Sequence, residues 1–467
     1  MKFSAIVAYD SNFGIGFENK VQWRVPEDMN YFFEKTTGSG KNAVVMGRVT
    51  WESIPQRYRP LKNRINVVLT RSTTVSTSAF PEGVLVFNSV DSCIKGLSKN
   101  HKFLEEVFVI GGSDIYKCFL ETPVVTTVYA TEIHSDTEFK ADRYFPEIEG
   151  FGFKIQESLP MKISSYAEVK YKFVTYSREN EEEKQYLDMC TDIVETGFQK
   201  SDRTGTGTFS KFGQTMRFSL RGGVIPVLTT KRVFWRGVVA ELLFFISGKT
   251  DTSVLSDDGV NIWKGNTSRE FLDSRGLTGY KVHDMGPMYG FQWRHWEAEY
   301  RGCSDDYTGE GIDQLQECIN MIKNQPDSRR IVITAYNPSD LAKSVLPPCH
   351  YSIQFACYGD ELSILVTMRS VDLGLGFPFN VASYSLLLHM VCQVTSKKPG
   401  EIVFNAGDCH VYKNHVEGLK EQISRVPRGF PTISLNKNVD CIDDFSSGDI
   451  ELVGYYPHPS IKLDMAV

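Results

Sequence analysis

The chain has 467 residues, of which 41% are hydrophobic and 23% charged, and its formal net charge is −6. That length predicts two or three domains, and the acidic balance excludes a general attraction to nucleic acid. No apolar run could cross a bilayer, the N-terminus has no signal-peptide pattern, and the ten cysteines show no zinc-type spacing, so we expect a cytoplasmic protein without a bound metal.

Short apolar runs rich in β-branched residues alternate with helical stretches through the first 177 residues. The runs predicted to be strands are residues 3–9, 43–46, 65–69 and 107–110. Continuous apolar strands are typical of a central, mostly parallel sheet with flanking helices. This part of the chain is therefore predicted to be an α/β domain.

One carboxylate stands at the start of a predicted helix, in the segment VQWRVPEDMNYF at residues 21–32. Pro26 favours a helix start, and Asp28 and Phe32 then share one face of the helix. A carboxylate beside an aromatic wall can bind the amidine-like edge of a flat heterocycle. Taken alone, the pattern also suits a plain helix-start aspartate, and that alternative stays open.

Two strand–glycine–helix junctions follow, VVMGRVTWES at residues 44–53 and VFVIGGSDIY at residues 107–116. Free backbone N–H groups at a helix start attract anions, and glycines let a phosphate approach closely. Either junction alone is often purely structural. Two of them in one domain indicate a ligand with two phosphate groups.

The motifs IVAYDSNFGIG, WRVPED, MGRVTWESIP, RPLKNRINVVLTR and VIGGSDIY together resemble the dihydrofolate reductase family. The resemblance implies that Asp28, with a raised pKa, binds the pterin edge of folate and helps to protonate N5. Arg64 would pair with the folate α-carboxylate, and Thr131 would hydrogen-bond Asp28. The folate-binding residues implied in this domain, besides Asp28, are Ile6, Val7, Phe32, Ser53, Ile54, Leu61, Arg64 and Thr131.

The same resemblance implies NADPH as the cofactor, with its 2′-phosphate on Thr70 and Arg71. It also implies a cis peptide between Gly111 and Gly112. In one departure from the family, Gln22 replaces the usual proline before Trp23, which puts the mobility of the loop at residues 14–23 in doubt. The implied NADPH-binding residues are Ala8, Ile15, Gly16, Gly47, Arg48, Val49, Thr50, Leu69, Thr70, Arg71, Ile110, Gly111, Gly112, Ser113, Asp114, Ile115 and Tyr116.

A change of composition marks a domain boundary. Residues 168–177 alternate like a strand, the acidic run RENEEE fills residues 178–183, and residues 184–195 have the apolar spacing of an amphipathic helix. We predict domains at 1–177 and 184–467 with a short junction at 178–183. The alternative is an exposed acidic turn within one domain.

The second part of the chain mixes predicted helices at residues 238–247 and 381–394 with predicted strands at 330–334, 352–356 and 362–367. An α+β domain is expected. Two prolines in SVLPPCH force an extended approach that fixes the direction of Cys349. A thiolate nucleophile needs positive charge nearby, which the arginines of separate segments can supply. The alternatives are an inert buried cysteine and a papain-like cysteine, whose local signature is missing.

The runs DRTGTGT, LTTKR, ELLFFISG, GPMYGFQWRHW, DSRRI, LPPCH, RSVDLGLGFPFN and NAGDCHVY resemble the thymidylate synthase family from about residue 184 onwards. The resemblance implies that Cys349 attacks C6 of dUMP, which then receives a one-carbon unit from 5,10-methylenetetrahydrofolate. Asn380 would recognise the uracil edge, and Glu241 would organise water for proton transfer. The implied catalytic residues here are Cys349, Glu241, Tyr289 and His350.

The remaining implied residues bind the two substrates. Asp372 and Trp263 would contact the folate, and residues 465–467 would close over the site. Met368 stands where the family commonly has glutamine. The implied dUMP-binding residues are Arg203, Arg329, Arg330, Arg369, Ser370, Asn380, His410 and Tyr412.

A reductase joined in front of a synthase resembles the bifunctional family of protists and plants. In that family the phosphate site takes arginines from the partner subunit, so a homodimer through the second domain is implied. RNA binding, a trait of thymidylate synthases, is expected to be incidental for so acidic a chain. A fusion with one inactive half is a further alternative, against which intact Asp28, Cys349, Glu241 and Asn380 argue.

Overall fold

The computed structural model describes residues 1–71, 80–136, 138–166, 169–202 and 205–465. The chain divides into two compact units, Met1–Glu179 and Asn180–Val467, which we call unit 1 and unit 2. None of the helices in the described ranges is long and apolar enough to span a membrane.

Unit 1 is built on a sheet that, in the described ranges, has nine strands in the order β10-β11-β7-β1-β6-β3-β4-β5, with β9 also paired to β11. From β7 through β5 every neighbouring pair is parallel, whereas β11 is antiparallel to β7, β9 and β10. The predicted mostly parallel sheet is confirmed. The strands are β1 (Lys2–Asp10), β2 (Gly14–Gly16), β3 (Ala43–Gly47), β4 (Ile65–Leu69), β5 (Leu85–Phe87), β6 (Glu106–Val109), β7 (Val125–His134), β8 (Arg143–Tyr144), β9 (Lys154–Ser158), β10 (Lys162–Ile163) and β11 (Lys170–Ser177).

The helices of unit 1 connect these parallel strands. Because β1, β3, β4, β6 and β7 run the same way, their carboxyl ends meet at one edge of the sheet, where α/β folds bind ligands. The central strands are buried on both faces, as their uninterrupted apolar sequences require. The helices are α1 (Pro26–Thr37), α2 (Arg48–Ser53), α3 (Val90–Asn100) and α4 (Ser113–Leu120).

Unit 2 contains a mixed sheet in the order β12-β13-β17-β16-β15-β14, together with the β18–β19 pair. Only β16 and β17 run parallel among the described strands of this sheet. The strands are β12 (Phe198–Lys200), β13 (Thr208–Ser219), β14 (Val332–Thr334), β15 (His350–Tyr358), β16 (Glu361–Asp372), β17 (Lys398–Tyr412), β18 (Thr432–Leu435) and β19 (Ile450–Val453).

One helix, α11, crosses the core of unit 2 and is buried on nearly all sides, which its almost uninterrupted apolar sequence requires. The α+β expectation is confirmed, since helices and a mixed sheet share one large apolar core. The helices are α5 (Glu181–Thr196), α6 (Trp235–Ile246), α7 (Ser253–Asp257), α8 (Arg269–Ser274), α9 (Gly290–Arg294), α10 (Gln314–Asn324), α11 (Gly376–Val394) and α12 (Val416–Ile423).

The two units meet between Glu179 and Asn180, within the predicted junction at 178–183. Arg178 belongs to unit 1, because its guanidinium donates to the carbonyls of Leu120, Thr122, Val125 and Phe151 at 2.6–3.1 Å. On the other side, the Asn180 side chain accepts the Glu183 N–H and caps α5. The acidic residues 181–183 thus form the first turn of a helix, where negative charge is favoured, instead of a loop.

Candidate active sites

Asp28 lies in the first turn of α1, which Pro26 begins. Burial raises its pKa to about 6, and a hydrogen bond with Thr131 opposes part of that shift. Thr131 is buried on β7, paired with Ala8 of β1. The expected Asp28–Thr131 contact is present, and the carboxyl can hold or release a proton near neutral pH.

An apolar wall stands beside this carboxyl. Of the expected folate-binding residues, Ile6, Phe32, Ile54 and Leu61 pack in one cluster. Val7 is buried, whereas Ser53 is exposed and its hydroxyl donates to the Thr50 carbonyl. The sequence analysis did not single out Met29, the exposed apolar residue that follows Asp28 on α1.

Arg64 is held in place by its surroundings. Its Nη1 donates to the Thr36 hydroxyl at 2.6 Å, its Nε donates to the Lys62 carbonyl at 3.0 Å, and its guanidinium lies 5.4 Å from the Phe33 ring centre. Burial lowers its pKa. Thr36, which the sequence reasoning also missed, thereby fixes the orientation of a planar cation suited to a carboxylate.

A glycine cradle joins the two strand–glycine–helix junctions. The Gly47 N–H donates to the Gly111 carbonyl at 2.8 Å. A Cβ added at Gly47 would lie 3.0 Å from Ile115, and one added at Gly112 would lie 3.3 Å from the Thr50 hydroxyl. The expected cis peptide between Gly111 and Gly112 is confirmed. Two helix starts and bare glycine backbone at one sheet edge fit a diphosphate.

The other expected NADPH residues border this cradle. Arg48 forms an ion pair with Glu52 at 2.7 Å, so a phosphate would have to compete with that carboxylate. Tyr116 is buried and donates to the Ile6 carbonyl at 2.7 Å, so it supports the cradle from within the core and offers the ligand no surface. The rest lie on β1, β2, α2 and α4, at the end of β4, or directly after β4 and β6: Ala8, Ile15, Gly16, Val49, Leu69, Thr70, Arg71, Ile110, Ser113 and Asp114.

The substitution of Gln22 for proline has a structural consequence. Its side-chain amide donates to the carbonyls of Phe17 and Lys20 at 3.3 and 3.2 Å, and so braces the loop at residues 14–23. The neighbouring Trp23 packs edge-on against Phe139. Gln22 therefore provides hydrogen bonds within the loop that a proline side chain could not form.

In unit 2, Cys349 stands immediately before β15. Its backbone N–H donates to the Tyr289 hydroxyl at 3.0 Å. Arg369 donates to the Pro347 and Pro348 carbonyls at 2.6 and 2.9 Å, and its Nη2 lies 3.6 Å from the Cys349 sulfur. Arg369 thus fixes the Pro–Pro–Cys turn and places positive charge beside the thiol, which stabilises a thiolate.

Three titratable side chains, Glu241, Tyr289 and His350, form a cluster beside this thiol. Burial raises the pKa of Glu241 to about 7, although a hydrogen bond from the Trp263 indole, at 2.8 Å, opposes the shift. Burial lowers the pKa of His350 to about 3 and raises that of Tyr289 well above its usual range. The rings of His350 and Tyr289 stack at 4.1 Å.

Tyr384 completes this cluster and was missed from the sequence. It lies buried on α11, and its hydroxyl hydrogen-bonds Nδ1 of His350. His350 pairs across the sheet with Met368, which is buried in the core. At the position of Met368 the thymidylate synthase family commonly has glutamine. Tyr384 follows Asn380 by one helical turn, a spacing that places both on one face of α11.

The sugar and pterin candidates meet where β16, β17 and α11 converge. Asp372 is paired with His410 across the sheet, and Ser370 lies two residues before it. The Asp372 carboxylate accepts N–H groups from the turn at residues 374–376 at 2.8–3.2 Å. Burial alone would raise its pKa, but the neighbouring histidines and the Gly374 N–H lower it overall. The His410 and Tyr412 rings meet edge-on at 5.3 Å.

Two of the remaining phosphate candidates, Arg329 and Arg330, lie away from Cys349 of the same chain. Arg203 lies outside the described residues, as do the last two residues of the closing segment. Arg329 and Arg330 are exposed just before β14. Val332 pairs with Gln354, five residues beyond Cys349, which is about 17 Å along an extended strand.

No group of three or more His, Cys, Asp or Glu residues suited to a metal ion occurs in the described part of the chain. Sequence profiles match the dihydrofolate reductase family over residues 2–178 and the thymidylate synthase family over residues 184–467. Arg178, which clamps unit 1, is the last residue of the first match.

Full-length relatives carry both units in the same order. The chain is 43% identical to the bifunctional dihydrofolate reductase-thymidylate synthase of Leishmania major, over all of this chain and 95% of that protein. It is 43% identical to the protein of that name from Zea mays, over all of this chain and 97% of the relative. It is 45% identical to bifunctional dihydrofolate reductase-thymidylate synthase 1 of Arabidopsis thaliana, over all of this chain and 96% of the relative. The chain belongs to the bifunctional dihydrofolate reductase-thymidylate synthase family.

Proposed function

We propose that Cys349 is the nucleophile with which unit 2 converts dUMP to dTMP, and that Asp28 is the carboxyl with which unit 1 reduces the resulting dihydrofolate. The observation that carries the first assignment is the Arg369 guanidinium beside the Cys349 sulfur. That contact stands inside a cluster containing Glu241, whose pKa near 7 suits proton transfer. The observation for unit 1 is the Asp28 carboxyl, whose pKa burial raises to about 6.

The chemistry of unit 2 proceeds through a covalent adduct. The thiolate adds to C6 of the uracil ring, and the electron pair of the C5–C6 bond moves towards C5 and O4. C5 then bonds to the methylene carbon of 5,10-methylenetetrahydrofolate and loses its proton. Tetrahydrofolate departs and returns a hydride to the exocyclic methylene, the sulfur leaves C6, and the products are dTMP and dihydrofolate.

Protons in this site move through Glu241 and water. The Tyr289 hydroxyl keeps its proton because its pKa is raised, and His350 stays neutral because its pKa is about 3. Neither group ionises at neutral pH, so each serves as a hydrogen-bond partner of a water that accepts the C5 proton. Tyr289 and His350 were expected to support proton removal at C5, and we propose that they do so by holding the water that accepts the proton. Asn380, on α11, would donate to O4 and accept from N3–H of uracil.

The ligand-binding roles follow from location. Arg369 borders the thiol, and it would bind the phosphate of dUMP together with Ser370 and Arg203. His410 and Tyr412 would bind the sugar hydroxyl. The folate would lie between Trp263 and Asp372, whose lowered pKa keeps it ionised and able to accept an N–H from the pterin.

The glycine cradle would hold the diphosphate of NADPH, because side chains at Gly47 and Gly112 would crowd Ile115 and Thr50 and cover the backbone N–H groups. NADPH supplies a hydride when it is bound there, with Thr70 and Arg71 at its 2′-phosphate. Asp28 holds the pterin edge and delivers a proton towards N5, directly or through water. Arg64, fixed by Thr36, would donate to the folate α-carboxylate.

The synthase assignment is tested by Cys349→Ser in the full chain, with Cys357→Ser as the control. Cys357 lies on β15, the strand that follows Cys349, and pairs with Leu362 at the end away from Cys349. Cys349→Ser is expected to abolish dTMP formation and to leave dihydrofolate reduction unchanged, whereas Cys357→Ser retains both. Continued dTMP formation by Cys349→Ser would show that another group is the nucleophile.

We further propose that the active protein is a homodimer in which Arg329 and Arg330 serve the partner's phosphate site. Two observations support this: both arginines are exposed, and both lie too far along the sheet to reach Cys349 of their own chain. The sheet face away from the core also carries a row of part-buried side chains, with Gln354 opposite Leu365 and Leu365 opposite Val403. An open face of this kind suits a symmetric contact.

Complementation tests the shared site. Arg330→Glu and Cys349→Ser are each expected to lack synthase activity alone. In co-expressed protein half of the dimers are mixed, and one of the two sites in a mixed dimer keeps both residues, so about a quarter of wild-type activity should return. No recovery, or full activity in a monomer on gel filtration, would show that each chain completes its own site.

A further inference from the structure

Two segments of unit 2 meet at the candidate synthase site. We call residues 285–289, which end in Tyr289, the tyrosine turn, and residues 340–349, which end in Cys349, the cysteine approach. The Tyr289 hydroxyl accepts the Cys349 N–H at 3.0 Å. The position of this hydroxyl beside the nucleophile therefore depends on how the two segments are held together.

The backbones of the two segments are in direct contact. Gly286 has a φ of 76°, and a Cβ there would overlap the Lys343 carbonyl oxygen and lie 3.0 Å from Ser344 Cα. Only glycine adopts this conformation readily and permits so close an approach. The Val345 N–H also donates to the Met285 carbonyl at 3.2 Å. The tyrosine turn thus packs on the cysteine approach without any side chain between them.

One side-chain amide bridges the same two segments from within the core. Gln292 is buried on α9, and its Nε2 donates to the Pro287 carbonyl at 2.8 Å and to the Asp340 carboxylate at 2.9 Å. Its Oε1 has no hydrogen-bond partner among the described residues, so the two donated bonds orient the amide. The opposite orientation would turn Oε1 towards two oxygens, which cannot donate to it. Each N–H of Gln292 therefore binds one of the two segments.

Asp340 accepts hydrogen bonds from three side chains. It is buried at the start of the cysteine approach, where Asn337 Nδ2 donates at 2.9 Å to the same carboxylate oxygen as Gln292. The other carboxylate oxygen accepts from Lys343 Nζ at 3.0 Å. A carboxylate suits this position because both of its oxygens only accept. Asp340 is fixed by these neighbours, and its bond to Gln292 therefore fixes Gln292 in turn.

We propose that Asp340 and Gln292 are positioning residues for the synthase reaction, which hold the tyrosine turn against the cysteine approach. Through this contact they keep the Tyr289 hydroxyl beside Cys349. The consequence for catalysis rests on the proposed function, in which Tyr289 holds the water that accepts the C5 proton. A displaced hydroxyl would slow removal of that proton and leave the binding of dUMP unchanged.

Hydrogen exchange on the full chain tests the positioning without any substrate. The reporting amides are those of Val345 and Cys349, which donate from the cysteine approach to the tyrosine turn. Asp340→Ala removes the acceptor of the Gln292 amide. Exchange of both reporting amides is expected to become about tenfold faster, as for the loss of one net hydrogen bond. Exchange at the wild-type rate in Asp340→Ala would overturn the proposal.

Asp340→Asn separates the hydrogen bond from the rest of the side chain. It keeps an oxygen for the Gln292 amide, and its NH2 group would face Lys343, which is half exposed and can turn towards solvent. Exchange of the reporting amides in Asp340→Asn is therefore expected to stay at the wild-type rate. Acceleration equal to that of Asp340→Ala would contradict the assigned bond and overturn the proposal.

Asp449→Ala is the matched control. Asp449 also stands in a short helical turn and accepts an asparagine amide, that of Asn436, at 2.7 Å. Its hydrogen bonds among the described residues go to Asn436 and Ser446, outside both segments. Asp449→Ala is expected to change neither the exchange of the reporting amides nor dTMP formation. Equal acceleration in Asp449→Ala would show that the reporting amides respond to the loss of any such aspartate, which would overturn the proposal.

A double-mutant cycle tests whether Asp340 acts through Tyr289. Asp340→Ala alone is expected to lower kcat for dTMP formation by about 10–10²-fold at unchanged KM for dUMP, because small misplacements of a reacting group are that costly. In Tyr289→Phe, which has no hydroxyl to position, adding Asp340→Ala is expected to lower kcat no further. Losses that multiply would overturn the proposal. Absence of synthase activity in the wild-type chain would contradict the proposed function and leave the exchange result unaffected.

Discussion

Replacing Asp28 by asparagine is predicted to stabilise unit 1 while removing its reductase activity. The carboxyl has a pKa of about 6 against an ordinary value of 3.8, because burial penalises its charged form. The folded state is therefore destabilised when this carboxyl is ionised. Asparagine keeps an oxygen that Thr131 can reach and never ionises, so the destabilisation disappears. The proton that the reaction needs disappears with it.

The size of the effect follows from the pKa. A shift of about 2 units, at 1.36 kcal/mol for each, corresponds to about 3 kcal/mol at pH 8. The contribution has the sign of a raised pKa: stability is complete below the unfolded value and is lost as pH rises through the folded one. At pH 4 the gain from Asp28→Asn should shrink to about 0.6 kcal/mol.

Calorimetry of the full chain measures this gain. The transition of unit 1 is the one that NADPH shifts to higher temperature, since a ligand stabilises the unit that binds it. Asp28→Asn is expected to raise that transition by roughly 6–12 °C at pH 8 and by only about 1–2 °C at pH 4. The exposed Asp136 provides a control, because Asp136→Asn should leave the transition temperature of unit 1 unchanged at both pH values. An Asp28→Asn transition that stays at the wild-type temperature at pH 8 would refute the burial argument, and unchanged reductase activity would refute the role of Asp28 in proton delivery.

Three further substitutions separate the remaining roles. Glu241→Gln is predicted to lower kcat for dTMP formation by about 10²–10³-fold and to remove an inflection near pH 7 from the pH profile of kcat. An inflection that remains in the variant would show that a group other than Glu241 titrates near pH 7. Arg71→Ala should raise KM for NADPH far more than for NADH, and equal changes would place the 2′-phosphate at another residue. Thr36→Val should raise KM for dihydrofolate about tenfold at unchanged kcat, because it frees Arg64; a change in kcat alone would contradict this positioning role.

The sequence predicted the sheet of unit 1 closely because its strands are continuous apolar runs between glycines. The strand expected at residues 65–69 has those bounds, and the one expected at 107–110 lies within a residue of β6. Helix α6 begins three residues earlier than its apolar run, at Trp235, because the apolar pattern reports burial and leaves the first turn unmarked. The sequence did not show that residues 181–183 are helical, since a row of glutamates can begin a helix as well as fill a loop.

The candidate sites were predictable residue by residue wherever a motif marked them, but their partners were not. Thr36 and Tyr384 act through contacts across 28 and 34 residues of sequence, and no local pattern encodes such a distance. Arg369 was expected at a phosphate, and the structure adds a contact with the thiol. The position of Arg330 away from Cys349 depends on how β14 and β15 pair, which the sequence does not specify.

Coupled turnover tests the two-activity account most directly. Wild-type chain is given dUMP, 5,10-methylenetetrahydrofolate and NADPH, and dTMP formation and NADPH oxidation are followed together. One NADPH is expected to be oxidised for each dTMP formed, with no oxidation when dUMP is omitted. Formation of dTMP with accumulating dihydrofolate and no NADPH oxidation, or oxidation that proceeds without dUMP, would contradict the assignment of one activity to each unit.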